Sequence, residues 1–375
     1  MSEYQFYGFL ALDRRLTAAD QGALRKISSR AEITATSFTN TYEWGDLKAD
    51  PADMVRRWFD MYLYLANWGT RRVMFRWPEH LVDRAVLDAC MAGHEAATLQ
   101  VADGVLILDI TREDILEREW EEEEGQMAAI APLRDAVLAG DGRLFYLVWL
   151  LGVADGACGH TAPEPLPGLG PLTPAITAFA DFFDLDPDLV QAASERAGAV
   201  PGATLPGGVR SAIATLSERA RADLLARVHD SDPHVGAELR RMVRGKAPAA
   251  LQAAAPARTA AALLARAVEC RAERERAEAA KAKGKARAAE AKAEAARRAR
   301  VATLAERGPE VWDEVEAEIS RRNAPGYDRA AEMLADLHQV AAEAGTNAAY
   351  TARIRALRVR HAAKVRFLER ISGLG

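Results

Sequence analysis

The sequence has few cysteines and no long apolar run. Cys90, Cys158 and Cys270 are its three cysteines. Because they are far apart and odd in number, they offer neither a disulfide framework nor a CxxC metal pair. No apolar stretch reaches the roughly 20 residues of a membrane-spanning helix, and the opening residues lack the basic region and cleavage site of a signal peptide. We therefore predict a cytoplasmic protein without a membrane partner.

Motifs that identify common enzymes are also missing. The sequence contains no glycine-rich phosphate loop, no nucleophile elbow, no HExxH and no paired-carboxylate motif. These absences remove the usual grounds for assigning catalysis, so we predict no cofactor and favour a non-enzymatic role.

Charge and aromatic residues are distributed unevenly. Residues 1–235 hold 21 Lys and Arg against 36 Asp and Glu, a net charge of −15, whereas residues 236–307 hold 18 against 8, a net charge of +10. Residues 308–375 balance at 10 against 10. Of the 25 aromatic residues, 18 lie in the first 150. The chain therefore combines an acidic, aromatic-rich head with a basic body.

The head has the pattern of an α+β domain. Asp103-Gly104 separates two apolar runs and favours the positive φ of a tight hairpin turn. Asp50-Pro51 predicts a helix start, and the apolar residues from Met54 to Leu65 predict that this helix is buried on several sides. Strands are predicted at 4–12, 37–44, 71–77, 99–101 and 105–110.

We predict a small mixed or antiparallel sheet with helices at the N-terminus, followed by an all-α region with one long basic helix. The corresponding segments are an α+β head at 1–155, a Pro/Gly-rich linker at 156–173, a helical hairpin region at 174–250, a long Ala/Arg/Lys/Glu-rich helix at 257–306 and a C-terminal helical module at 308–375.

Most of the long helix lacks large apolar side chains. No Val, Leu, Ile, Met or aromatic residue occurs between Val268 and Val301, so the stretch offers only alanine where a coiled coil needs branched side chains. We expect a solvated helix of roughly 75 Å. Its basic side chains are candidate contacts for a polyanion or for an acidic protein surface: Lys281, Lys283, Lys285, Arg287, Arg297, Arg298 and Arg300.

A group of aromatic and arginine residues in the head forms a second candidate surface. Trp, Tyr and Arg contribute the largest contact energies at interfaces and also stack on bases. The alternative is that the tryptophans complete the core and the arginines neutralise an acidic domain. The members of this group are Tyr42, Trp44, Asp46, Trp68, Arg71, Arg72 and Arg76.

Two clusters bear on metal or covalent chemistry. His229, Asp230 and His234 are candidate metal ligands, since imidazole and carboxylate bind zinc, iron or manganese. The interpretation we favour is a turn between two helices, in which Asp232-Pro233 starts the second helix, so we predict no metal. Cys158 and His160 form a possible thiolate and imidazole pair, but they lie in the predicted linker, where nothing holds their geometry.

Two stretches resemble known families. The motifs TSFTNTYEWGDLKADP and YLANWGTRR resemble a family of uncharacterised bacterial proteins that share this head and a helical remainder, which implies the same architecture and no stated activity. The stretch VWDEVEAEISRRNAPGYDRAAEMLADL is similar to the C-terminal helices of bacterial SWIM zinc-finger proteins. The CxC and CxH zinc motif of those proteins is absent, so their zinc and DNA binding is not carried over.

These observations support three hypotheses. The first is a cytoplasmic interaction or scaffold protein that binds a protein partner or a second copy through its head and its basic helix. The second is a nucleic-acid-associated protein whose basic helices contact phosphates. The third is an enzyme with a nucleotide or small-molecule site in the head.

Overall fold

The computed structural model describes residues 3–93, 95, 97–115, 123–198, 213–244, 258–308 and 310–374. The chain divides into two compact units, Met1–Glu273 and Arg274–Gly375. The first unit is an α+β structure, and the second is helical where it is described.

Seven described strands of the first unit form one sheet in the order β2-β3-β1-β4-β5-β7-β6. All neighbouring pairs are antiparallel. This confirms the predicted α+β class and selects the antiparallel alternative. The strands are β1 (Gln5–Leu10), β2 (Glu32–Ile33), β3 (Ser37–Tyr42), β4 (Met61–Ala66), β5 (Arg71–Pro78), β6 (Ala97–Ala102) and β7 (Val105–Arg112).

Helices occupy most of the remaining described chain. Those of the first unit are α1 (Ala18–Ile27), α2 (Pro51–Arg57), α3 (Arg84–Met91), α4 (Glu123–Ile130), α5 (Pro132–Leu138), α6 (Arg143–Ala154), α7 (Pro174–Phe182), α8 (Pro187–Ser194), α9 (Glu218–His229) and α10 (Val235–Arg244). The long helix α11 (Ala260–Arg307) begins in the first unit and continues into the second, where α12 (Glu310–Ser320), α13 (Ala324–Glu343), α14 (Asn347–Arg360) and α15 (Val365–Arg370) follow.

The helix predicted from Pro51 to Leu65 is wrong in its second half. Helix α2 ends at Arg57, and β4 begins at Met61. In β4, Leu63 is completely buried on one face, and Tyr62 is nearly so on the other. A central strand covered on both faces has no polar alternation, so a short apolar run of this kind is compatible with either a helix or a strand.

The Asp103-Gly104 hairpin is confirmed. Both residues have positive φ, 54° and 73°, and they connect β6 to β7 in register. The hairpin places β6 at the edge of the sheet opposite β2.

The sheet is covered on both faces. Helices α1 and α2 pack on one face around Phe9, Phe38 and Phe59. Helices α3 to α8 and the start of α11 pack on the other face, with α6 buried along nearly its whole length. The two faces therefore belong to two separate apolar clusters of one unit.

The predicted linker at 156–173 is instead part of the packed first unit. Cys158, Glu164 and Leu169 are buried. Proline and glycine prevent a regular helix or strand here, but glycine also lets backbones approach closely. A Cβ on Gly168 or Gly170 would lie 2.2 Å from the carbonyl oxygen of Arg196 or Ser194. Low secondary-structure propensity in this segment therefore reflects close backbone packing and not a spacer.

This segment also holds the first turn of α11. The backbone N–H groups of Ala260 and Ala261 donate to the carbonyls of Ala162 and His160 at 2.9 and 3.0 Å. The buried face of that end of the helix consists of Ala260, Leu263, Ala267 and Cys270. The unit boundary therefore falls inside the predicted helical segment, and the predicted hairpin region belongs to the same unit as the head; its predicted end at 250 lies outside the described residues.

The second unit has its own core. Val311, Val315 and Ile319 of α12 are completely buried against Leu334 of α13 and Ile354 of α14. The three α12 residues recur every four positions, which places them on one face of the helix. No single described helix is both long and apolar enough to cross a membrane, although the bent pair 125–138 and 143–154 meets both criteria jointly.

Candidate functional site

The three arginines of the predicted head surface are bound within the protein. Arg71 is 1% exposed, and its guanidinium donates to the carbonyls of Ala66 and Thr70. Arg72 makes a bidentate ion pair with Asp109 at 2.9 and 2.7 Å. Arg76, near the other end of β5, donates to Asp60 at 2.9 Å. These arginines therefore organise the sheet and do not converge on one site.

Tyr42 and Asp46 belong to a hydrogen-bonded network over the start of β1. The hydroxyl of Tyr7 lies 2.8 Å from Asp46 Oδ1 and 2.8 Å from Gln5 Oε1, and Tyr64 donates to the same Gln5 oxygen at 2.9 Å. Tyr42 packs edge-on against Tyr7. The sequence does not reveal Gln5, Tyr7 and Tyr64 as members of this network. Their side chains meet on one face of the sheet because β1 pairs with β4 in the register Tyr7↔Tyr64.

The tyrosines of this network are held in the protonated form. Burial raises the pKa of Tyr64 to about 12, and the negative charge of Asp46 acts in the same direction. Burial, followed by the hydrogen bond to Asp46, also raises the pKa of Tyr7 well above its usual value. Both hydroxyls remain donors at neutral pH, so the two tyrosines fix a loop and neither is a ready proton acceptor.

Trp44 lies on the loop that this network holds. The side chain is 77% exposed. The next residue, Gly45, has φ +85° and accepts a 2.7 Å hydrogen bond from Gln5 Nε2, and Asp46 is bonded to Tyr7 as described. The backbone is therefore tied to β1 immediately after an indole that faces solvent.

Trp68 lies on a second loop tied to the same strand. The side chain is 49% exposed. Asn67 exchanges two 3.0 Å hydrogen bonds with the backbone of Tyr4, and Gly69, with φ +99°, accepts from the N–H of Ile115 at 3.1 Å. This turn is thus fixed on both sides of the exposed indole.

Trp44 and Trp68 share one end of the sheet, and we call them the tryptophan pair. Their loops follow β3 and β4, the two neighbours of β1, at the end where Gln5 pairs with Tyr42 and with Ala66. Strands two positions apart are separated by roughly 10 Å. The pair therefore presents two aromatic groups from adjacent, anchored loops.

The predicted metal candidates do not converge. His234 Nε2 lies 3.2 Å from Asp13 Oδ2 in the ion-pair network around the buried Arg134, whereas Asp230 caps the end of α9 and His229 is exposed. No group of three or more His, Cys, Asp or Glu among the described residues is arranged to hold a metal ion.

Cys158 is not arranged as a nucleophile. Its thiol is buried, and burial raises its pKa. The Sγ atom lies 4.0 Å from the carbonyl oxygen of Trp149, while His160 is exposed. Burial also raises the pKa of Cys90 to about 12. Neither thiol has an environment that favours the thiolate.

An acidic cleft of about 410 Å³ opens beside the end of β7. The guanidinium of Arg112 donates to the carbonyls of Phe183 and Asp184 and to the carboxylate of Asp155. Arg112 therefore neutralises part of the cleft, and its contacts are those of a structural cross-link.

The seven predicted polyanion contacts all lie on exposed positions of α11. Arg298 pairs with Glu294 at 3.0 Å, and Arg300 lies 3.8 Å from Asp336. Among the described residues, the other five form no ion pair: Lys281, Lys283, Lys285, Arg287 and Arg297.

Comparison with family models, curated proteins and solved structures finds no match to this chain. The two resemblances noted from the sequence therefore stay predictions, and functional inference depends on the geometry of the tryptophan pair and of the basic helix.

Proposed function

We propose that this chain is a non-enzymatic protein-interaction protein, and that the tryptophan pair is its docking surface. The observation that carries the proposal is that Trp44 and Trp68 are 77% and 49% exposed on loops tied to the same strand. Tryptophan is the residue most enriched among those that dominate binding energies at protein interfaces.

The exposed area supports a substantial contribution to binding. An indole side chain covers roughly 200 Å², so the pair exposes roughly 250 Å². At about 25 cal/mol per Å², complete burial would be favourable by about 6 kcal/mol before the losses of association are subtracted. Tryptophans on a rigid support are the kind of residue that dominates the centre of an interface.

The anchoring of both loops supports the same conclusion. Binding is weakened by the entropy lost when mobile loops become ordered. Here the hydrogen bonds from Gln5 to Gly45 and between Tyr4 and Asn67 order the backbone in advance. A nucleotide site in the head has less support, because Arg71, Arg72 and Arg76 already bind groups of the protein itself.

Site-specific cross-linking in the native host tests this proposal. A photoreactive aromatic amino acid replaces the exposed Glu43, beside the pair, in the full chain. We expect an adduct of defined mass, with another protein or with a second copy, that disappears when Trp68→Ala is added. The same probe at Val359, which is 79% exposed in the second unit, is the matched control and gives no such adduct.

The affinity of each alanine variant for the captured protein then measures how much each indole contributes to binding. Trp44→Ala weakens binding by about 2–4 kcal/mol, a factor of roughly 30 to 700. Its effect on folding stability stays within about 0.5 kcal/mol, because the side chain is exposed. Absence of a defined adduct at position 43, or an adduct indifferent to Trp68→Ala, contradicts the proposed docking surface.

A further inference from the structure

Over residues 281–300, one face of helix α11 carries three lysines and no carboxylate. Lys281, Lys285 and Lys292 are exposed, as is every residue from Glu273 to Arg300. At 3.6 residues per turn, Lys285 and Lys292 lie about 40° and about 20° around the helix from Lys281. Their Cα atoms are spaced by about 6 Å and about 10.5 Å along the axis. We call these residues the lysine stripe.

The carboxylates of this stretch lie on the opposite side. Residues 281–300 contain eight Lys and Arg but only two acidic residues, Glu290 and Glu294. These are about 180° and about 220° around the helix from Lys281, on the side of Lys283, Arg287 and Arg297. The lysine stripe is therefore the face of the helix on which positive charge is not offset.

The lysine stripe is unpaired within the part of the chain that the structure describes. Its neighbours in α11 do form ion pairs: Arg274 lies 3.4 Å from Glu278, and Arg298 lies 3.0 Å from Glu294. Lys281, Lys285 and Lys292 form none with any described residue. Their three ammonium groups are available to an external anion.

The composition of this face favours phosphates over a protein surface. Interfaces between proteins bury an apolar centre, are enriched in aromatic residues and Met, and are depleted of Lys. Between Val268 and Val301 the helix has no large apolar residue, so it offers no such centre. A nucleic-acid backbone needs only exposed cations at intervals along one face, because its affinity comes largely from the release of counterions.

We propose that the lysine stripe binds the phosphodiester backbone of nucleic acid without reading its sequence. Each ammonium group contacts a phosphate, and the intervening alanines let the helix approach the backbone. This function is separate from the docking surface proposed for the tryptophan pair, since the two use different residues in different units.

The salt dependence of binding provides the test. The full chain is titrated onto fluorescent duplex DNA and duplex RNA between 50 and 200 mM salt, with polyglutamate as an acidic-protein mimic. Each phosphate contact with duplex DNA contributes about −0.9 to the slope of log K against log salt. The triple variant Lys281→Gln/Lys285→Gln/Lys292→Gln should therefore make that slope shallower by about 2.7. Between 50 and 200 mM salt, its affinity should then fall by a factor about 40 times smaller than the affinity of the wild type does.

A charge-matched variant separates the lysine stripe from general positive charge. Lys283→Gln/Arg287→Gln/Arg297→Gln removes the same charge from the side that carries Glu290 and Glu294, and glutamine preserves helix propensity. We expect a clearly smaller change in slope, while Trp44→Ala leaves nucleic-acid binding unchanged. Circular dichroism confirms that both triple variants retain their helix.

Three outcomes would overturn the proposal. The first is no binding to either duplex at 50 mM salt. The second is an equal change in slope for the two triple variants, because the face would then not matter. The third is binding to polyglutamate as tight as to the duplexes, which would assign the helix to acidic proteins instead. Binding to only one duplex type supports the proposal and identifies the nucleic acid.

Discussion

Glu164 provides a sharp test of how the first turn of α11 is held. Its side chain is 1% exposed. Its carboxylate accepts a hydrogen bond from the hydroxyl of Tyr146 and two from Arg258, at 2.7 and 3.0 Å. Arg258 lies two residues before the helix begins and also donates to the carbonyl of Ala192 at 2.8 Å. Glu164→Gln keeps the size of the side chain and removes its charge.

The expected loss is large because the side chain of Arg258 is only 12% exposed. Removing one partner of a buried pair leaves an uncompensated charge and costs about 3–5 kcal/mol. Glu195→Gln is the matched control, because Glu195 also holds an arginine, Arg266, through several hydrogen bonds. That pair is about 30% exposed on both sides and should contribute at most about 1 kcal/mol.

Urea unfolding measures both effects. Six of the seven tryptophans lie in the first unit, and a Trp312→Phe background makes the fluorescence specific to it. With an m-value of about 3 kcal/mol/M, a loss of about 4 kcal/mol lowers the midpoint by about 1.3 M. A shift for Glu164→Gln no larger than that for Glu195→Gln would refute the assignment of Glu164 as a buried anchor.

Two further predictions concern the acid response and a loop glycine. Burial alone would raise the pKa of Asp13, but hydrogen bonds from His234 and Arg134 outweigh it and hold the pKa well below its usual value. The stabilisation is complete above about pH 4 and is lost as the pH falls further, so Asp13→Asn should cost about 3 kcal/mol at pH 7 and progressively less in acid. Asp135→Asn, which alters a 77% exposed carboxylate 3.8 Å from the same Arg134, should have little effect at any pH, and a constant difference between wild type and Asp13→Asn would contradict this linkage. For Gly69, an alanine Cβ would lie 2.7 Å from the carbonyl oxygen of Ile115 at φ +99°, so Gly69→Ala should cost about 2–3 kcal/mol, or a fall in Tm of about 6 °C. Gly45→Ala has φ +85° but nothing within 4 Å and should cost about half as much; equal melting temperatures would exclude the contact with Ile115 as the cause.

Local chemistry made parts of the fold predictable. The Asp103-Gly104 turn follows from a backbone preference of two adjacent residues, and Asp50 caps α2 as predicted, its carboxylate accepting a hydrogen bond from the N–H of Ala52. The long helix follows from high propensity over many residues. In each case a short stretch of sequence contains the information that the structure uses.

The remaining features depend on contacts between distant residues. Strand β4 resembles a buried helix in sequence because both of its faces are covered. From the sequence alone, Arg72 cannot be distinguished from a ligand-binding arginine, because only the pairing of β5 with β7 places Asp109 beside it. Trp44 and Trp68 are 24 positions apart in the sequence, and only the pairing of β3 and β4 with β1 brings their loops to one end of the sheet.

The carbonyls that receive the first turn of α11 have a consequence for the order of folding. Ala162 and His160 precede their partners Ala260 and Ala261 by about one hundred residues. On a chain synthesised from its N-terminus, the acceptors therefore emerge long before the donors. Loop closure over such a distance is slow compared with helix growth. The start of the basic helix should therefore dock late, on a head that is already folded, so that ordering of residues 258–270 reports the completion of the first unit.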